Sequence, residues 1–157
     1  MASGKCPKLP LTGGCQCGCL RYRITRLPST LYCCHCTECQ HQAASAFGMS
    51  LRLNPQAIEL EGDYASYYRD ESAPTAVECV FCPKCGTRVV HRGRGVDSGS
   101  SIKAGTLDDV SWLNPVGHIW ARSAQNWVKL DGLVYDGQPT DNYHALIDAF
   151  SKQHKNR

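Results

Sequence analysis

Eleven cysteines in 157 residues constrain this chain more than any other feature. An odd number cannot all pair within one chain. Most fall into three dense groups: Cys15 and Cys17; Cys33, Cys34, Cys36 and Cys39; Cys82 and Cys85. The first residues, Met1 to Pro7, hold no apolar run of the kind that heads a signal peptide. No stretch approaches the ~20 apolar residues of a membrane helix. The expectation is a cytoplasmic chain with reduced thiols, in which dense cysteine means metal or catalysis before disulfides. A disulfide-stapled extracellular module is the competing reading.

The rest of the composition agrees with metal staples. Leu, Ile, Val and Phe make up only 30 of 157 residues, a lean supply for a core. The formal net charge is +3, too small to point to a nucleic-acid partner or a polybasic membrane contact. Arg88, Arg92, Arg94 and the tail Lys152 to Arg157 are the modest basic groups, and the tail reads as a solvated helix end. The length suits one domain, residues 1–157, with a core at about 11–132.

Period-two alternation predicts short strands along most of that core. Residues 1–12 read as a loose lead-in. Leu20, Tyr22 and Ile24 alternate with arginines, and Phe47, Met49, Leu51 and Leu53 alternate before the Asn54-Pro55 break. Ile58 to Leu60 and Tyr64 to Arg69 read as a hairpin around Gly62-Asp63. Further strands are expected at Val77 to Phe81, Thr87 to Arg92, Ile102 to Thr106, Ile119 to Ala121 and Trp127 to Leu130. Gly93 to Ser101 reads as a mobile loop. Tyr143, Leu146, Ile147 and Phe150 share one helical face behind Asp141 as a cap, so a helix is expected over about 141–153. A short helix is expected at Gln40 to Ala44. The fold class is therefore mainly β: a small zinc-stapled domain of antiparallel sheets with a C-terminal helix.

Cys15 and Cys17, at i and i+2 between glycines, face one side of an extended segment and offer two ligands. Cys82-Pro83-Lys84-Cys85-Gly86 is a zinc knuckle by type. Together these four thiolates make a closed structural zinc site; a redox-active Cys-x-x-Cys pair is the alternative for the knuckle. Cys34, Cys36 and Cys39 place three thiolates on one ion and leave a fourth position open, the pattern of catalytic zinc. Closure by His35 or Cys33 remains open, although His35 lies between two ligands and is expected to point the other way. Cys6, Cys19 and Cys79, and Cys33 if unligated, need no role beyond that of small hydrophobes.

Three motifs in this order, Gly-x-Cys-x-Cys-Gly, Cys-His-Cys-x-x-Cys and Phe-Cys-x-x-Cys-Gly-Thr, resemble the glutathione-dependent formaldehyde-activating enzyme family. Ser45-Ala46-Phe47, Lys103-Ala104-Gly105-Thr106-Leu107-Asp108-Asp109 and His118-Ile119-Trp120 extend the resemblance, which runs from about Leu11 to Gly132. It implies coiled antiparallel sheets around two zinc ions per chain. Cys15, Cys17, Cys82 and Cys85 would hold the structural ion, and Cys34, Cys36 and Cys39 the one associated with activity. The implied reaction is that of a carbon–sulfur lyase, joining glutathione and formaldehyde as S-hydroxymethylglutathione. The vertebrate centromere protein V is a relative with a different cellular role, so family and substrate are separate questions.

Gln40-His41-Gln42 stands where relatives often carry a basic residue. Arg52, Arg69, Arg88 and Arg92 are the candidates to meet a glutathione carboxylate instead. His118 is a candidate for proton transfer or for the pocket wall, against the plainer reading of a strand histidine. Phe47 is a candidate pocket residue, against plain core. Zinc-activated hydrolysis of another electrophile and a non-catalytic scaffold binding a protein partner are the alternatives for function. A nucleic-acid binder is the least favoured class.

Overall fold

The strand alternation becomes a two-faced sheet. The computed structural model describes residues 7–72, 76–94 and 99–155. In chain order the elements are β1 (Leu11–Gly14), β2 (Arg21–Ile24), β3 (Thr30–Cys34), α1 (Thr37–Ala43), β4 (Gly48–Leu53), β5 (Ile58–Glu61), β6 (Ala65–Arg69), β7 (Val77–Phe81), β8 (Arg88–Gly93), β9 (Ser100–Lys103), β10 (Gly117–Ile119), β11 (Leu133–Val134) and α2 (His144–Lys155). A three-stranded sheet runs β1-β2-β5, and an eight-stranded sheet runs β11-β10-β3-β4-β9-β8-β7-β6.

Register puts one aliphatic residue from each of five strands into a single row. Leu31 faces Leu51, Leu51 faces Ile102, Ile102 faces Val90, and Val90 faces Val80. All five are fully buried. Because side chains alternate between faces, the next positions point the other way: Tyr32, Ser50 and Lys103 in one row, Arg52, Ser101 and His91 in another. Except for the half-buried Arg52, these polar residues are buried too. A sheet face that is both polar and covered is costly unless its groups are paired or serve a ligand, and it floors the site described below.

Several expectations need correction. Both strands beside Gly62-Asp63 form, but they are not a hairpin: β5 pairs with β2 and β6 pairs with β7. Gly62, at φ +94°, lies so close to the Cys19 carbonyl that a Cβ would stand 2.1 Å from that oxygen. The chain packs there against the Cys15–Leu20 turn and crosses from one sheet to the other. Trp127 to Leu130 is not a strand; Trp127 is exposed and its segment turns, with Val128 N–H donating to the Gln125 carbonyl. The predicted strand from Ile102 to Thr106 ends at Lys103 and continues as a 3₁₀ turn, and the one at Ile119 ends there because Trp120 takes φ +57°. Among the described residues seven strand pairings are antiparallel, but β10 runs parallel to both β3 and β11.

The lead-in is shorter than expected, because Leu11 and Thr12 already pair with Ile24 and Arg23. Residues 1–6, with Cys6, lie outside the described residues, as do 95–98 of the Gly93–Ser101 segment and 156–157 of the tail. Helix α1 starts three residues earlier than expected, because Cys36 caps it. Helix α2 starts at His144 rather than 141; Asp141 Oδ2 accepts from Ala145 N–H at 2.9 Å, and Tyr143 still has φ +68°. Leu146 and Phe150 bury the apolar stripe of α2, and Thr30 of β3 donates to the Leu146 carbonyl at 3.0 Å.

Candidate metal centres

The first centre joins the two sheets. Between β1 and β2 the chain makes a tight loop in which Cys15 N–H donates to Leu20 O at 2.8 Å and Leu20 N–H donates to Cys15 Sγ at 3.2 Å. Between β7 and β8 the knuckle closes with Cys82 N–H on Thr87 O at 3.0 Å and Gly86 N–H on Cys82 O at 2.8 Å. Gly18 and Gly86 carry the positive φ these turns need, +80° and +76°. Gln16 N–H donates across to Thr87 Oγ1, bringing the loops together.

All four sulfurs, of Cys15, Cys17, Cys82 and Cys85, lie within 4.8 Å of one another. Cys15 to Cys17 is 3.6 Å and Cys17 to Cys82 is 3.7 Å. A tetrahedral ion with metal–sulfur bonds of ~2.3 Å needs sulfur–sulfur edges of about 3.75 Å, so the donor set fits one. The Thr87 hydroxyl beside Cys85 holds that thiol down at about 5, favouring the thiolate a metal needs.

The second centre stands where β3 ends and α1 begins. Cys34 is the last residue of β3, Cys36 is the N-cap of α1, and Cys39 N–H donates to Cys36 Sγ at 3.4 Å. The three sulfurs again lie within 4.8 Å of one another. Among the described residues no fourth His, Cys, Asp or Glu joins this group. Hydrogen bonds from the Cys34 and Cys36 thiols, with the charges of Lys103 and Arg69 nearby, hold the Cys39 thiol well below its ordinary range. The soft, three-membered donor set fits a thiophilic ion such as zinc and leaves a coordination position open.

His35 does not close the site. Its Nε2 shares a hydrogen bond of 2.8 Å with His118 Nδ1, and its ring packs 5.3 Å from that of Phe47. Cys33 is buried, and burial pushes its thiol up to about 12. Cys79 is fully buried in β7, and Cys19 is exposed.

All three sulfur-bearing residues border a cavity of about 350 Å³ over the polar sheet face. Arg52 and Arg69 stand on its wall, with Tyr32, Tyr143, His91 and Trp120. Arg52 stacks over the Tyr143 ring at 4.2 Å, and Arg69 Nη2 reaches to 4.0 Å from Cys39 Sγ. Burial, then the charges of Lys103 and Arg69, push His91 down to about 2, so it stays neutral. Burial also lowers the Lys103 ammonium from its ordinary value, against the pull of the Cys39 and Cys34 charges. Of the other two candidate arginines, Arg88 lies over Tyr67, and Arg92 pairs with Glu78 at 3.6 Å. Arg94 donates to the Glu71 carbonyl, so these basic residues are engaged within the fold.

His118 does not line this cavity. It stands on β10 opposite Cys33 and supports His35 from behind. Gln40 donates through Nε2 to the carbonyls of His35 and Ser123 and holds the cysteine loop. Phe47 lines a different cavity, beside Lys103 and Cys85. His91 gave no functional signal in sequence, and Lys103 only its place in a segment that resembles the family, because only cross-strand register brings them to the cysteines. Replacing His118 by phenylalanine removes the partner of His35, which lies between two of the cysteines, and is expected to weaken metal retention at the three-cysteine centre by less than the about tenfold to a hundredfold that loss of a ligand's own hydrogen-bond partner costs. Chelator competition, compared with the four-cysteine centre in the same molecule, measures this; equal retention would show that the His35 contact is dispensable.

Residues 10–123 match the model of a protein family described as glutathione-dependent formaldehyde-activating enzyme. No curated protein matches the chain. Among solved structures, a Rhodobacter sphaeroides protein studied by crystallography is similar, with a TM-score of 0.52 at 17% identity. The match covers 66% of this chain and 91% of that one. That likeness concerns the fold alone.

Proposed function

The chain belongs to the glutathione-dependent formaldehyde-activating enzyme family, and on that footing we propose a zinc-dependent enzyme of the carbon–sulfur lyase type. Its substrate would be the adduct of a small thiol and an aldehyde, with glutathione and formaldehyde as the first pair to test. Cys15, Cys17, Cys82 and Cys85 would hold a structural zinc, and Cys34, Cys36 and Cys39 a catalytic one. The observation that carries the reading is the three-thiolate group without a fourth protein donor among the described residues, opening on a cavity with two arginines.

The chemistry such an ion supplies is ionisation of a thiol at neutral pH. The protein's part is binding and orientation. Arg69 stands beside Cys39, and Arg52 is braced on Tyr143, so each can meet a carboxylate of an acidic thiol. Ile119 and Trp120 wall the cavity and limit water around the sulfur. His91, kept neutral, adds hydrogen-bonding capacity without adding charge. His118 acts through His35 to fix the cysteine loop. No helix among the described residues is long and apolar enough to cross a membrane, and a reduced compartment such as the cytoplasm suits thiolate ligands.

The test is exchange between free and glutathione-bound formaldehyde, followed by NMR against the uncatalysed background. Zinc-loaded protein is expected to accelerate it, and chelation to abolish the gain. Arg52→Ala is expected to raise KM for glutathione by about tenfold and to leave an uncharged thiol unaffected. No acceleration by protein carrying two zinc ions would discard the lyase reading and leave hydrolysis or a binding scaffold.

A further inference from the structure

We infer that Lys103 and Arg69 set the charge of the three-cysteine centre and make it a receptor for an anionic fourth ligand, a thiolate, rather than a neutral one. The inference rests on the reading of Cys34, Cys36 and Cys39 as an open metal site, and not on the aldehyde chemistry.

Lys103 is the last residue of β9 and faces Ser50 of β4. Its side chain is only 7% exposed, and Nζ has no hydrogen-bond partner. A methyl group built on Gly48 would stand 3.0 Å from that nitrogen, 3.2 Å from Gln42 Nε2 and 3.6 Å from Cys39 Cβ. The ammonium and the Cys39 side chain therefore border the same small space over Gly48. Arg69 approaches the same cysteine from β6, with Nη2 4.0 Å from Sγ. Two cations from two strands thus converge on one ligand.

Burying an ammonium without an acceptor is unfavourable unless opposite charge faces it. Burial weighs most against the Lys103 charge and Arg69 adds to that; the groups that favour the charge are Cys39, Cys34 and Cys36. Three thiolates around a divalent ion carry one excess negative charge. Two cations reverse it, and one further thiolate restores neutrality. The Glu38 carboxylate, 3.7 Å from Arg69 Nε, is 62% exposed and screened by solvent. His91 on this face is neutral, and the further cation of the cavity wall, Arg52, is stacked over the Tyr143 ring. A ligand with no charge would leave the balance positive in a poorly solvated place.

The full chain is loaded with cobalt, whose absorption reports the fourth ligand, and titrated separately with 2-mercaptoethanol and with imidazole. The first offers a thiolate without any carboxylate, and the second a neutral nitrogen. Lys103→Met is expected to weaken thiolate binding by about tenfold or more while imidazole binding holds or improves. Lys103→Arg is expected to keep most of the thiolate preference. Equal weakening of both ligands, or unchanged thiolate binding, would overturn the inference, as would a wild-type centre that takes neither ligand. Cobalt absorption from the four-cysteine centre reports that the fold is intact. If Lys103→Met does not fold, Arg69→Gln carries the comparison, and unaltered selectivity there overturns the inference. Wild-type thiolate preference lost in these variants, with no acceleration of formaldehyde exchange, would support the inference and sink only the lyase reading.

Discussion

Cys82→Ser is expected to yield a chain that does not hold its fold at 37 °C. Cys82 is fully buried, and its sulfur lies 3.7 Å from that of Cys17. It fastens the β7–β8 turn, which belongs to the large sheet, to the β1–β2 turn of the small one. A structural zinc bound to folded thiolates contributes roughly 10–16 kcal/mol of apparent binding energy. The whole domain is worth about 5–15 kcal/mol. Losing one of four ligands, and with it the tie between the two turns, removes a share of that energy that is large against total stability, and the lean aliphatic core offers little to replace it. Urea or thermal unfolding, with metal content measured on the same samples, checks this. A midpoint within ~2 °C of wild type would show that the cluster is not a structural staple.

Cys36→Ser should do the opposite: keep the fold and remove the chemistry. Cys36 is half-buried and caps α1, accepting from Cys39 N–H. Serine is among the better N-cap residues, so the helix start keeps its acceptor and stability should change by about 1 kcal/mol or less. The hydroxyl cannot stand in for a thiolate on a soft ion. Metal content should fall from two ions per chain to one, and catalysed formaldehyde exchange by about a hundredfold or more, beyond the usual cost of losing an outer-shell partner. Two ions retained by Cys36→Ser would remove Cys36 from the ligand set. Taken with Cys82→Ser, the pair separates the two centres by phenotype, one in stability and one in activity.

The cysteine spacings made both centres legible before any fold was known. A thiolate pair at i and i+2, or at i and i+3 across a glycine turn, is a local arrangement, and local geometry is what sequence encodes directly. The aliphatic positions Leu51, Ile102, Val90 and Val80 were legible as strand residues for the same reason, whereas Leu31 was not, because β3 is buried at every position and shows no alternation. The hairpin at Gly62-Asp63 was misread because two adjacent strands with a turn between them look alike whether they pair or part. What separates them is Gly62 packing on the Cys19 carbonyl, a contact across more than forty residues. The parallel placement of β10, which brings His118 to His35, is likewise invisible in three residues of sequence.

The sequence by itself determined which cysteines could hold metal, their division into a group of four and a group of three, the β-rich class and the C-terminal helix. Each follows from residue type at short spacing. Only the tertiary structure decided what surrounds the open centre: Arg52 and Arg69 on the wall, Lys103 without a hydrogen-bond partner behind Cys39, His118 outside the cavity, Gln40 bracing the loop. These come from different strands, and cross-strand register is set by the packing of the whole sheet, where a shift of one residue would turn every one of them to the other face.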